Sequence, residues 1–242
     1  MRSLLMVSAD NAQALAVSST QADAVIVDLT INVSPSIAAH SLARNNARQA
    51  IDLIAGRMKV FVRVNMLASG MVDDDLAAVM PACPDGIVLP GAMGTADVEH
   101  LAAKLRVLEA RLGREDGETQ IIPLISNSSG VLAAGGMRPV RRMVAIGWEP
   151  FHPLSRRDVP SLMDSAGRYH DVPRLTRTLT LLAASHAGVL AIDAPTPLDT
   201  NDAFYSDATR AERDGFGAKI VCSEAHARAV NDIFRLDRPA AL

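Results

Sequence analysis

Short, nearly unbroken apolar runs recur along this chain, and the gaps between them limit its possible folds more than any other feature. They lie at Leu4–Val7, Ala24–Val27, Val60–Val64, Gly86–Leu89, Ile121–Ile125, Met143–Ile146, Val189–Ile192 and Lys219–Cys222. Short aliphatic and β-branched runs without polar alternation suit strands buried on both faces, as in a parallel sheet. The stretches between them carry helical spacing: Leu76, Val79 and Met80 form one stripe, Leu101, Leu105, Leu108 and Leu112 a second, and Leu175, Leu179 and Leu182 a third. Asp73–Asp75 fall where a first helical turn favours carboxylates, and Gly113 and Gly188 follow helical stretches as stop signals.

Strands and helices alternating in this way predict an α/β chain, a (β/α)8 TIM barrel in a single domain over residues 1–242. A doubly wound open sheet is the alternative, but it usually carries a glycine-rich phosphate loop after its first strand. Here that position reads Ser8-Ala9-Asp10-Asn11-Ala12, without glycine. At 242 residues and 49% hydrophobic, the chain can build a large core, and with only 3% aromatic residues that core must be mainly aliphatic. A net charge of -3 supplies no general field for nucleic acid or lipid, so neither is predicted as a partner. Two cysteines fit a reducing compartment, and no run approaches the ~18 apolar residues of a membrane span. The expectation is a soluble, cytoplasmic protein, with an irregular loop at Pro150–Pro160 over the barrel mouth and a loose tail at 235–242.

A barrel places its chemistry at the C-terminal ends of the strands. Arg63 stands out there because it interrupts the apolar run Val60-Phe61-Val62-Arg63-Val64-Asn65. A guanidinium in such a place needs an anion, and its planar fork matches the carboxylate of a small ligand. An internal salt bridge to Asp28 or Glu149 is the competing explanation.

The blocks RSLLMVSADN, ADAVIVDL, VFVRVN, DGIVLP, IIPLI, GWEP, VLAIDAP and GFGAKIVCSEAHARAVNDIF occur in order along the whole chain. Together they resemble the citrate lyase β-subunit-like family of the HpcH/HpaI aldolase superfamily. The resemblance implies a (β/α)8 barrel, often a trimeric or hexameric homo-oligomer. It also implies a Mg²⁺-assisted carbon–carbon lyase or aldolase acting through an enolate on a 2-oxo acid or an acyl thioester such as a CoA thioester. Arg63 matches the arginine that grips the substrate carboxylate, and Asn65 and Lys219 also match, which implies substrate-binding roles.

The departures from the family pattern are informative. Where it has Asp-Leu-Glu-Asp the chain reads Asp28-Leu29-Thr30-Ile31, and Leu-Pro-Lys becomes Leu89-Pro90-Gly91. A metal-ligating Glu is replaced by Ser126, and a metal-ligating Asp by Pro150, in Gly147-Trp148-Glu149-Pro150. Ser223 and Glu224 stand where His-Pro would follow Lys219. Mg²⁺ prefers charged oxygen ligands, so its binding is predicted to be weak or absent, with no residue assigned as a metal ligand. A site rebuilt from Glu149 and Asp28 is the alternative, although neighbours at a strand end point to opposite faces. Trp148, the only Trp, is expected to fill the vacated metal space or stack on a ligand. Ser126–Ser129 reads as substrate-contacting hydroxyls or as a polar turn capping a helix. His152 and His226 are candidate acid–base groups without an evident partner, Cys222 a buried small hydrophobe, and Cys83 an unactivated thiol. Eight residues follow Phe234, fewer than the resemblance implies, which predicts a more open mouth.

Three functions follow. One is a lyase or aldolase of the family type, with Arg63, Glu149 and Asp28 in the catalytic positions and Arg63, Asn65, Ser126 and Lys219 on the substrate. The second is a non-catalytic member that binds a carboxylate or serves in regulation or assembly. The third is a metal-free enzyme with Glu149 as general base.

Overall fold

A computed structural model describes residues 1–12, 20–30, 36–150, 162–165, 167–196 and 201–234. The Pro150–Pro160 loop after its first residue, His152 and the 235–242 tail lie outside them. Eight parallel strands close into a barrel in sequence order. They are β1 (Ser3–Ser8), β2 (Ala24–Asp28), β3 (Lys59–Arg63), β4 (Gly86–Pro90), β5 (Gln120–Ile125), β6 (Ala145–Trp148), β7 (Leu190–Asp193) and β8 (Ala218–Val221). Each overlaps one of the apolar runs. Seven described helices pack around them: α1 (Ile37–Ile54), α2 (Val72–Val79), α3 (Thr95–Arg111), α4 (Ser128–Ala133), α5 (Asp171–Ala187), α6 (Asn201–Asp214) and α7 (Glu224–Ile233).

Side chains alternate along each strand, so the barrel has two cores. Leu4, Ile26, Phe61, Val88, Ile122, Leu124, Ile192 and Ile220 point inward and fill the lumen. Leu5, Val25, Val62, Ile87, Ile121, Ile146, Trp148 and Val221 point outward and meet the helices. Gly86 belongs to this packing: a Cβ there would lie 2.6 Å from the Phe61 ring, so only glycine lets that ring cross the lumen.

The helix signals divide. α2 begins at Val72 with Asp73, Asp74 and Asp75 in its first turn, and Leu76, Val79 and Met80 are buried. Gly188 closes α5 in the left-handed region, at φ +67°. On α3, Leu101 and Leu105 are fully buried whereas Leu112 is exposed. The α5 stripe holds only in part, since Leu179 packs against the core while Leu175 and Leu182 are exposed. Pro173, Thr176, Arg177, Thr180, Ala183, Ala184 and Ala187 face the barrel instead. Small residues let this helix lie close to β6 and β7, and Arg177 reaches a buried carboxylate there. Among the described residues no helix is long and apolar enough to cross a membrane.

Candidate active site at the barrel mouth

Asp28 ends β2 and Arg63 ends β3, and the two are register partners. Both continue the inward faces set by Ile26 and Phe61. Glu149, one residue beyond β6, also turns inward and meets them across the mouth. The Arg63 guanidinium donates from Nε to Glu149 Oε1 at 2.8 Å and from Nη2 to Oε2 at 2.9 Å, the bidentate fork that arginine forms best. Its Nη1 donates to both Asp28 oxygens at 3.2 Å and to the Thr30 hydroxyl. Asp28 is fully buried, while the side chains of Arg63 and Glu149 are 14% and 15% exposed. Burial works against the charged guanidinium, but the charges of Glu149 and Asp28 outweigh it and hold Arg63 above its ordinary pKa. Arg63, Asp28 and Glu149 are therefore brought together, joined by the internal ion pairs that competed with the ligand reading.

Thr30 is the member of this group that the sequence reading passed over. Its backbone N–H and hydroxyl both donate to Asp28 Oδ1, at 2.6 and 2.8 Å. The short Asp-x-Thr spacing, in which a side-chain oxygen accepts from the backbone two residues on, was the available signal.

The other candidates disperse. Ser126 continues the inward alternation of Ile122 and Leu124 and is half-buried at the rim. Asn127 caps α4 by accepting from Gly130 N–H at 2.7 Å, and its amide donates to Gly91 O at 2.9 Å, so the polar-turn reading applies to it. Gly91 adopts φ +69°, where a Cβ would lie 2.7 Å from Met66 Sδ. A larger residue is strained in that conformation.

Asn65 is turned away from the mouth. Its backbone and side-chain amides both donate to Asp75 Oδ2 at 2.8 Å, and Arg44 holds the other oxygen of that carboxylate at 2.8 Å. Lys219 is likewise not at the mouth. Its neighbours Ala218 and Ile220 point into the lumen, so Lys219 points out and is fully buried between barrel and helices. Its ammonium donates to Asp193 Oδ2 at 2.7 Å, Ala194 O at 2.6 Å and Asp207 Oδ2 at 3.0 Å. Trp148 faces the same outer layer, donating from Nε1 to Asp193 Oδ1 at 2.8 Å and packing edge-on to Tyr169. It neither fills a metal space nor offers a stacking face at the mouth. For Lys219 and Trp148 the reason is strand parity; Asn65 shares the parity of Arg63 but lies beyond the end of β3 and is drawn aside by Asp75.

Cys222 is exposed rather than buried; the surrounding protein and the negative charge of Asp28 push its thiol pKa up. Cys83 is also exposed. His226 stacks flat on Phe204, with ring centroids 3.7 Å apart, as a packing residue of α7. A cavity of about 670 Å³ lined by Tyr169, His170, Arg174, Arg177 and Arg210 lies on the outer, helical side and shares no lining residue with the mouth. Among the described residues no group of three or more His, Cys, Asp or Glu side chains is arranged to hold a metal.

A model of the HpcH/HpaI aldolase/citrate lyase family matches residues 2–223. The citrate lyase subunit beta of Leuconostoc mesenteroides subsp. cremoris is 28% identical over 218 residues, 88% of this chain and 69% of the relative. A citrate lyase subunit beta-like protein of Deinococcus radiodurans is 28% identical, covering 88% of this chain and 72% of its own. Among solved structures, protein CitE of Mycobacterium tuberculosis in complex with magnesium and pyruvate superposes with a TM-score of 0.77 at 25% identity. That match covers 99% of this chain and 92% of the other. The citrate lyase beta subunit of the same organism, complexed with oxaloacetate and magnesium, gives a TM-score of 0.77 at 25% identity over 96% of both chains. A further CitE complex from that organism, with magnesium, acetoacetate and coenzyme A, covers 98% of this chain and 82% of its own at a TM-score of 0.75 and 25% identity.

Proposed function

The chain belongs to the HpcH/HpaI aldolase/citrate lyase family, and from that premise we propose that it is a diverged member. It holds a small carboxylate at Arg63, and its magnesium-dependent carbon–carbon bond chemistry is impaired. One observation carries this reading: among the described residues Asp28 and Glu149 are the carboxylates that meet across the mouth, and both are engaged by the guanidinium of Arg63. A divalent ion would have to displace that guanidinium before either carboxylate could serve it. Ser126 could offer only a neutral hydroxyl, and Pro150 has no side-chain donor. Mg²⁺ gives up its own water reluctantly and needs near-ideal octahedral oxygen ligands. The described residues at the mouth do not fit it.

What these residues can do is bind and orient. Glu149 is the exchangeable partner of Arg63, because among the described residues its carboxylate is held through the two bonds to Nε and Nη2, and a ligand carboxylate can present the same pair of oxygens. Asp28 is also held by Thr30 and stays on Nη1, fixing the guanidinium plane. The alternative, Glu149 as a metal-free general base, starts from a carboxylate whose two oxygens are both held in the fork until a ligand displaces it. Calorimetric titration with Mg²⁺ and with Mn²⁺, alone and with pyruvate or oxaloacetate, tests the proposal. No metal binding is expected, and any 2-oxo acid binding should fall on Arg63→Ala. Metal-dependent cleavage of a 2-oxo acid or CoA thioester would overturn it.

A further inference from the structure

The charge left at the mouth when a ligand arrives points to the kind of ligand. Two carboxylates face one guanidinium, so the group carries one net negative charge before anything binds. A 2-oxo acid that takes the Nε/Nη2 face of Arg63 adds another negative charge. It also strips Glu149, whose side chain is only 15% exposed, of both its charge-assisted hydrogen bonds. A carboxylate left in that state pays its desolvation without a partner. A 2-amino acid of the same skeleton avoids both penalties. Its carboxylate replaces Glu149 on the fork, and its ammonium gives the displaced Glu149 a new cationic donor. Net charge is then unchanged.

Resting on the reading that Arg63 anchors a ligand carboxylate without a metal, we infer that the mouth selects a zwitterionic ligand over the corresponding 2-oxo acid. The class is a 2-amino acid or a similar short amino carboxylate. Arg63 binds its carboxylate, and Glu149 is the specificity-determining residue that accepts from its ammonium. Asp28 and Thr30 hold Arg63 in place and do not discriminate.

Matched pairs isolate this step: alanine against pyruvate and aspartate against oxaloacetate, titrated calorimetrically in EDTA. The proteins are the wild type, Glu149→Gln and Arg63→Ala, each checked for a single cooperative melting transition above the titration temperature. In the wild type the amino acid of each pair should bind about tenfold or more tightly than its oxo partner, the scale of one charge-assisted hydrogen bond. Glu149→Gln should abolish that preference by weakening the amino acid and sparing or strengthening the oxo acid. Arg63→Ala should weaken both members alike. A wild-type preference for the oxo acids, or a preference that survives in Glu149→Gln, overturns the inference; Arg63 dependence in that experiment would leave the anchor reading standing. Oxo-acid binding indifferent to Arg63→Ala overturns the anchor reading as well. Failure of all four ligands to bind overturns the inference.

Discussion

Two aspartate–base pairs lie across neighbouring strands of this barrel, and one residue of strand parity separates their fates. Asp28 and Arg63 pair between β2 and β3, and Asp193 and Lys219 pair between β7 and β8. The first pair points into the lumen, where the mouth leaves Arg63 partly accessible. The second points outward into a layer where Lys219 and Asp193 are fully buried and Asp207 is 2% exposed. Arg177 adds a second cation there, donating from Nε to Asp193 Oδ1 at 3.0 Å. Burial alone would raise the Asp193 pKa, yet Lys219 and Arg177 outweigh it and hold the carboxyl below its ordinary range. Similar residue types thus make a partly exposed ion-pair fork on one face and a fully buried strut on the other.

The largest expected effect comes from breaking the strut. Lys219→Met leaves Asp193 and Asp207 buried with one cation fewer, and loss of one partner from a buried charge network costs roughly 3–5 kcal/mol. Urea denaturation should show that loss. Arg63→Ala should cost less, about 1–2 kcal/mol, because Asp28 keeps its two Thr30 donors and, with no ligand covering it, the partly exposed Glu149 can draw in water. Equal costs for the two substitutions would erase the distinction between fork and strut.

Much of this was legible beforehand. Strands buried on both faces leave continuous apolar runs, and all eight strands overlap the runs read from the sequence. Arg63, Asp28 and Glu149 were legible because charge interrupting an apolar strand end has few explanations. Lys219 was not, because a match in a sequence pattern says nothing about the face on which a side chain falls; Asn65 was not, because its capture by Asp75 of α2 is a tertiary contact. The alternation of Ala218 and Ile220 around Lys219 contained that information. The Leu175–Leu182 stripe misled for a different reason. Helical spacing detects an apolar face but not the packing distance, and here the close approach to the barrel selects Thr180, Ala183, Ala184 and Ala187.

The buried strut also contributes to how the protein responds to acid. Asp193 is depressed by Lys219 and Arg177. At the opposite end of the barrel, Glu109 is held at about 2: burial alone would raise it, but Arg142 and the Thr119 and Gly117 N–H groups outweigh that. A carboxyl with a folded pKa below its unfolded one contributes stability above the unfolded value, and that stability is lost as pH falls through the folded one. The melting temperature should therefore decline from about pH 4.5 downward, the ordinary carboxyl range. In Lys219→Met the same decline should be shallower, since Asp193 has lost its main depressing charge. An acid limb of unchanged steepness would show that Lys219 does not set the Asp193 ionisation.

The smallest expected effect is a null one, and it sharpens the comparison most directly. Trp148 is the only tryptophan, fully buried, and its indole N–H is tied to Asp193 on the outer face. The next residue, Glu149, belongs to the mouth. If parity insulates the two faces, saturating the mouth with a carboxylate ligand should leave the Trp148 emission maximum where it is, because the indole keeps its bond to Asp193 and its contact with Tyr169. Substituting Lys219 should shift the same emission, since it removes a charge from the carboxylate that the indole touches. A ligand-induced shift as large as that of Lys219→Met would mean that Glu149 carries mouth occupancy back along β6, so that fork and strut behave as one device.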